Sequence, residues 1–183
     1  MMEKGENLLI SGGTSTGKTT LLNSLIRYIP DRTRIVTLEN MKELSIRQPN
    51  NVRLLVSESR HGNGYELAMN CILKSRPDRI FIGELTPKLT EFYIRLANTG
   101  HDGTGTTIHA NSAEEALEAV YENMLIDGSA ESETLKKRIA HTVRYVIQCH
   151  RGKGRRITAK LHRTGFKEGE FVSSGPGRQN DRY

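Results

Sequence analysis

Long apolar runs are missing from this sequence: no stretch approaches the roughly 20 consecutive residues a membrane-spanning helix requires, which excludes a spanning segment. Residues 1–7 are polar and lead straight into a strand pattern. The positive-then-apolar order of a secretory leader is absent, and the expected location is the cytosol. Only two cysteines occur, Cys71 and Cys149, far apart and without zinc-ligand spacing or a disulfide framework. Both read as buried thiols. Tryptophan is absent and aromatic residues make up 5% of the chain, which says little about function. Acid is missing from residues 151–167, where seven lysines or arginines stand, so much of the net charge of +6 sits in that segment. Such a patch suits lipid headgroups, nucleic acid or plain water.

Hydrophobic residues at 36% and charged residues at 26% describe an ordinary globular protein, and 183 residues suit one substantial core. Residues 7–11 read as a short buried strand, broken by Gly12, Gly13 and Gly17. Leu21, Leu22, Leu25, Ile26 and Ile29 then follow at helical spacing, up to Pro30. Strands are expected at 35–38 and 52–56, with a polar loop between them, and a glycine-rich break follows at 62–64. Residues 65–74 form a helix whose stripe is Leu67, Ala68, Cys71 and Ile72; Pro77 and Asp78 end it before a strand at 79–82. Leu89, Phe92, Tyr93 and Leu96 mark another amphipathic helix, and 106–109 another strand. Helices at 113–126 and 131–143 precede a hairpin of 145–149 and 157–161 about a turn at 152–154. In its second strand Ile157, Ala159 and Leu161 alternate with Thr158, Lys160 and His162, a half-buried pattern with a solvated basic face. This alternation is α/β: a mostly parallel central sheet with helices on both faces and functional loops at the C-terminal strand ends. Residues 1–166 form the domain, and 167–183, rich in Gly, Ser and charge, a disordered tail.

Gly12, Gly13, Thr14, Ser15, Thr16, Gly17, Lys18 and Thr19 match G-x-x-x-x-G-K-[ST], between a strand and a helix as the motif requires; with Thr20 they are the candidate nucleotide-binding residues. Glycines let successive backbone N–H groups turn toward phosphate oxygens, and the following helix adds the positive end of its dipole. Lys18 reaches the β and γ phosphates of ATP, and Thr19 offers a hydroxyl to Mg²⁺. Hydrolysis needs an acid beside the γ phosphate. Asp78 and Glu84 flank the strand 79–82, roughly 20 Å apart at about 3.3 Å per residue. The loop leaves the C-terminal end of its own strand, so a parallel neighbour brings Glu84 there and Asp78 to the far end. Glu84 is the catalytic candidate. Glu39 follows the strand 35–38 and reaches the same edge, with Glu43 one helical turn on if the chain coils there. Either can hold a magnesium-bound water, which makes Thr19, Glu39 and Glu43 the metal candidates. His109, ending another strand, is placed to sense the γ phosphate.

Together these residues resemble the secretion ATPase superfamily that drives type II secretion, type IV secretion and type IV pili. The resemblance rests on four segments. They are the loop Gly12 to Thr19; an acidic box, Leu38-Glu39-Asn40-Met41-Lys42-Glu43-Leu44; a strand ending Ile82-Gly83-Glu84; and a histidine box around His101, Thr106, Thr107, Ile108, His109, Ala110 and Asn111. The last is similar to the assembly ATPases of type IV secretion. The resemblance implies a RecA-like P-loop NTPase fold, catalytic roles for Glu39 and His109 beside Glu84 and Lys18, and a homo-oligomer, a hexameric ring with nucleotide between subunits. It also implies docking on membrane-embedded secretion or pilus components at the cytoplasmic face of the inner membrane. The sequence departs from the pattern in three places. Asn40 stands where the acidic box usually has Asp, while Thr86 and Lys74 stand where arginine is common, so the expectation is either slow turnover or a cation at the γ phosphate supplied by Arg60 or Arg76. Such ATPases usually carry an N-terminal domain, and the short lead before the first strand here is expected of a motor domain by itself or of a shortened protein. Two other readings stay open: a DNA-stimulated motor using the basic segment, and a non-hydrolysing nucleotide-gated assembly module.

Overall fold

The computed structural model describes residues 5–56, 64–98, 100, 103–152 and 157–175. Arg60, His101, Asp102 and residues 176–183 lie outside them, as do parts of the breaks at 62–64 and 152–154. The elements in chain order are β1 (Leu8–Gly12), α1 (Lys18–Ile26), β2 (Ile35–Glu39), β3 (Asn51–Leu55), α2 (Gly64–Lys74), β4 (Arg79–Ile82) and α3 (Pro87–Asn98). After them come β5 (Gly105–Ile108), α4 (Ala113–Ile126), α5 (Glu133–Thr142), β6 (Tyr145–Arg151), β7 (Ile157–Lys167) and β8 (Glu170–Ser174). They build an eight-stranded sheet of order β3-β2-β4-β5-β1-β6-β7-β8. The strands from β3 to β6 are parallel, and β7 and β8 join antiparallel.

Period-two alternation splits the strands between two cores. Leu8, Ile10, Ile35, Phe81 and Cys149 face α1, with Leu22 and Ile26. Leu9, Val36, Leu38, Ile80, Ile82 and Val146 face α2 to α5, against Tyr93, Leu117 and Ile139. Helices therefore cover both faces, as the strand-helix alternation predicts. Serine caps fix two helix starts: Ser112 accepts from the Glu115 N–H and Ser132 from the Leu135 N–H, so α5 begins at Glu133 rather than 131.

Three expectations are corrected. Cys149 is buried, but Cys71 is exposed. The covered stripe of α2 is Tyr65, Ala68 and Ile72, which turns Leu67, 65% exposed, outward with Cys71. Next, β7 is not half-buried at its start, since Ile157, Thr158, Ala159 and Lys160 are all exposed. On this strand α5 packs near the far end, with Lys137 over the Phe166 ring. Finally, residues 170–174 are no tail. Glu168 (φ 53) and Gly169 (φ 88) turn the chain in the left-handed geometry a tight hairpin favours. β8 then pairs with β7 and buries Phe171, edge-on to Phe166 at 5.9 Å. The domain thus extends beyond residue 166. Phe171→Ala is expected to lower the unfolding free energy by about 3 kcal/mol in urea titration, the cost of emptying a buried aromatic site; an unchanged midpoint would return this hairpin to the status of a tail.

Candidate active site

Because β1, β2, β4 and β5 are parallel neighbours, their C-terminal ends share one edge of the sheet. At that edge the segment Gly12 to Gly17 curls over the start of α1, with Thr14 and Ser15 exposed, Ser15 in left-handed geometry (φ 59), and Thr16 Oγ1 donating to the Gly13 carbonyl at 2.8 Å. Lys18 is buried beneath the loop and donates to the Gly12 and Gly13 carbonyls at 3.0 and 3.1 Å. Burial pushes its ammonium below the usual lysine range, opposed by the nearby carboxylates of Glu84 and Glu43. Thr20 is exposed on the outer face of α1.

Glu84 and His109 meet at this rim. The Gly83 N–H donates to the Leu38 carbonyl and the Leu85 N–H to the Thr107 carbonyl, both at 2.9 Å, which pins Glu84 between β2 and β5. Thr107 Oγ1 also donates to the Gly83 carbonyl at 2.9 Å. His109 Nε2 lies 2.8 Å from Glu84 Oε1, and His109 Nδ1 lies 3.1 Å from Lys18 Nζ. An ammonium can only donate, so Nδ1 accepts; the ring proton is then on Nε2, pointing at the carboxylate. A doubly protonated ring would set N–H against N–H. Asp78 lies at the opposite border, where its Oδ2 accepts from the Arg34 N–H at 2.7 Å.

The acidic pair is divided. Glu43 comes to Thr19, whose hydroxyl donates to Glu43 Oε2 at 3.1 Å. The chain does not coil into a helix there; 40–50 is irregular. Glu39 does not bring a free oxygen to the rim. Its side chain is 1% exposed. One oxygen accepts from Thr37 and Arg53, the other from the Glu43 and Leu44 N–H groups at 2.9 and 2.7 Å. The carboxylate needs those partners because burial strips its water. Arg53 Nη2 also donates to the Leu44 carbonyl at 2.5 Å, and Gln48 caps the end of α1 through the Ile26 and Ile29 carbonyls, both at 3.0 Å. Asn23 completes the brace: it donates to the Glu43 carbonyl at 3.0 Å and accepts from the Ser45 N–H at 2.7 Å. Glu39 is thus placed to hold the loop that carries Glu43.

Arg53 and Asn23 escape sequence reasoning, although Asn23 stands four residues after Thr19, on the same side of the helix. Of the two proposed arginines, Arg76 is not at the rim. Arg76 lies in the turn before β4, at the far border, and Arg60 is outside the described residues. A cavity of about 250 Å³ beside the rim is lined by Leu38, Asn40, Met41, Glu43, Gly83, Glu84, Thr86 and Leu89. Glu39→Gln is expected to cost about 2 kcal/mol of stability, since an amide NH₂ must face another donor on one side. A double-mutant cycle with Arg53→Met should show coupling above about 1 kcal/mol; additive effects would mean that Glu39 and Arg53 do not act together.

A sequence profile described as type II/IV secretion system protein matches residues 2–166. The type IV secretion system protein VirB11 of Bartonella quintana is 34% identical over 171 residues, covering 89% of this chain and 48% of that protein. The conjugal transfer protein TrbB of Rhizobium radiobacter is 34% identical over 174 residues, covering 90% and 50%. Among solved structures, the VirB11 ATPase of the Brucella suis type IV secretion system, in complex with sulphate, matches with a TM-score of 0.76 at 28% identity. That match covers 86% of this chain and 48% of that one. The Legionella pneumophila ATPase DotB, at 23% identity and TM-score 0.64 over 92% of this chain and 47% of its own, shares the fold. This chain spans about half the length of the curated relatives it matches. A profile match over most of its residues, on the fold those structures share, settles its affiliation: the chain belongs to the type II/IV secretion system protein family.

Proposed function

We propose that the chain is a Mg-dependent ATPase, the motor part of a type IV secretion, conjugation or pilus machine, and that it works as one subunit of a ring at the cytoplasmic face of the inner membrane. One observation carries the chemistry: the imidazole of His109 joins the phosphate-loop lysine to a strand-end carboxylate, at 3.1 and 2.8 Å. A lysine already charged, a carboxylate able to orient water and a ring between them form the set that phosphoryl transfer asks for. Sulphate bound to the Brucella suis relative supports an anion site in such proteins.

Lys18 exchanges its two carbonyl acceptors for phosphate oxygens, and the charge-assisted bonds gained offset the burial of its ammonium. The backbone N–H groups of 13–18 and the first turn of α1 face the same anion. Glu84 holds and orients the attacking water, while His109, with its proton on Nε2, fixes the carboxylate's direction. Thr19 and Glu43 fit a magnesium ion, because a hydroxyl and a carboxylate 3.1 Å apart are hard oxygen donors. When bound there, the ion would neutralise charge on the β and γ phosphates. Glu39 acts through Glu43 as a positioning residue. No helix among the described residues is long and apolar enough to cross a membrane.

Steady-state hydrolysis by the purified chain tests this reading. Glu84→Gln is expected to lower kcat by at least about 100-fold while ADP binding survives, and equal turnover by both proteins would remove Glu84 from the chemistry. Glu43→Gln should raise the magnesium concentration needed for half-maximal rate, with little change at saturating metal. Hydrolysis should not respond to added DNA; stimulation would favour the nucleic-acid motor. Mass measured with and without nucleotide reads out ring formation, and a monomer under both conditions would refute the ring for this length of chain.

A further inference from the structure

The catalytic candidates crowd one flank of the phosphate loop. Glu84 and His109 follow β4 and β5, and Glu43 follows β2, all on the same side of β1. The opposite flank belongs to the β6–β7 hairpin. Residues directly paired across two strands share a face. The row facing α1 therefore runs through Cys149 and Arg151 on β6 and through Ala159 and Ile157 on β7. Its inner end is core, since Cys149 packs with Leu22 and Ile26 of α1. Its outer end is open: Ile157 is 50% exposed, and Arg151, its partner in register, is exposed as well. Ile157 nevertheless stands against the loop. A Cβ at Gly17, the left-handed residue (φ 81) that starts α1, would lie 3.2 Å from Ile157 Cδ1.

A triphosphate whose last phosphate meets Lys18, His109 and Glu84 must run along the loop away from β4 and β5. Its other end then emerges over Gly17, beside β6 and β7. In a nucleoside triphosphate that end carries a flat base with apolar faces. We propose that Ile157 is the platform on which the nucleoside base packs, with Arg151 flanking it. The inference rests on reading Gly12 to Thr19 as a triphosphate site and adds the part of the ligand that reading leaves unplaced. Isoleucine suits a platform because it is stiff at χ1, so packing against a base costs little side-chain freedom. A guanidinium plane beside it can stack on the ring.

The test separates base from phosphates. Displacement of a fluorescent ADP analogue is measured with ADP and with inorganic tripolyphosphate, for the wild type, Ile157→Ala and Ile157→Leu. The expected result is an ADP affinity weakened about fivefold in Ile157→Ala, restored in Ile157→Leu, with tripolyphosphate affinity unchanged throughout. Equal weakening for both ligands would mean that Ile157 only shapes the loop through Gly17, and no weakening for ADP would mean that the base lies elsewhere; either overturns the proposal. A wild type that binds ADP but not tripolyphosphate also overturns it, because the base would then dominate binding without the loop. Failure of the wild type to bind either ligand would sink the triphosphate reading itself, and this inference with it.

Discussion

Parallel strands deliver the loops that follow them to one edge, and in this sheet β2, β4, β5 and β1 stand side by side with that edge in common. Everything chemical in the molecule depends on this alignment. Glu84 and His109 are separated by 24 residues of chain that include a whole helix, yet the register that sets Phe81 beside Gly105 leaves the two side chains 2.8 Å apart. One antiparallel strand among the four would send its loop to the border where Asp78 lies. The lysine, imidazole and carboxylate would then have no common ground.

Alignment brings the loops to the edge but does not shape them. Shape comes from buried polar contacts that the parallel sheet cannot make by itself. The Glu39 carboxylate, enclosed between β2 and the irregular segment after it, is balanced by two backbone N–H groups and the Arg53 guanidinium. A buried charge left without such partners is strongly destabilising, so the segment has little freedom to depart from the geometry that supplies them. Asn23 then fixes the same segment to α1, the helix that also carries Lys18 and Thr19. Glu43 and the loop Gly12 to Thr19 are thereby braced against the same helix.

Much of this was legible in the sequence, and the failures have a common cause. The loop Gly12 to Thr19 is recognisable because backbone geometry ties its residue types to fixed spacing. Glu84 was separable from Asp78 because strand length alone puts them at opposite borders. Glu39 misleads because sequence gives an acid's position along the strand and not what faces its side chain; Arg53, fourteen residues on, lies on the neighbouring strand. The α2 stripe misleads because Leu67 and Cys71 are as apolar as Tyr65, Ala68 and Ile72, and only the neighbouring helix decides which row is covered. β8 is hidden by its serines and by the glycine beside it, while Phe171, which anchors it, has only Val172 as an apolar companion in a polar segment.

The departures from the secretion ATPase pattern change meaning once their surroundings are known. Asn40 is not turned toward Thr19. Its Oδ1 accepts from the Tyr65 hydroxyl at 2.9 Å, which ties the acidic segment to α2. An aspartate could accept the same bond, so this contact does not demand an amide. The difference is charge. The cavity lined by Asn40 already holds the carboxylates of Glu43 and Glu84, and none of its lining residues is a lysine or arginine. A third carboxylate would raise the negative potential of the cavity, and like charges so close are costly where water is partly excluded. The amide keeps the structural hydrogen bond without adding to that repulsion. Asn40 therefore adds no charge to the cavity and leaves the Thr19–Glu43 hydrogen bond untouched.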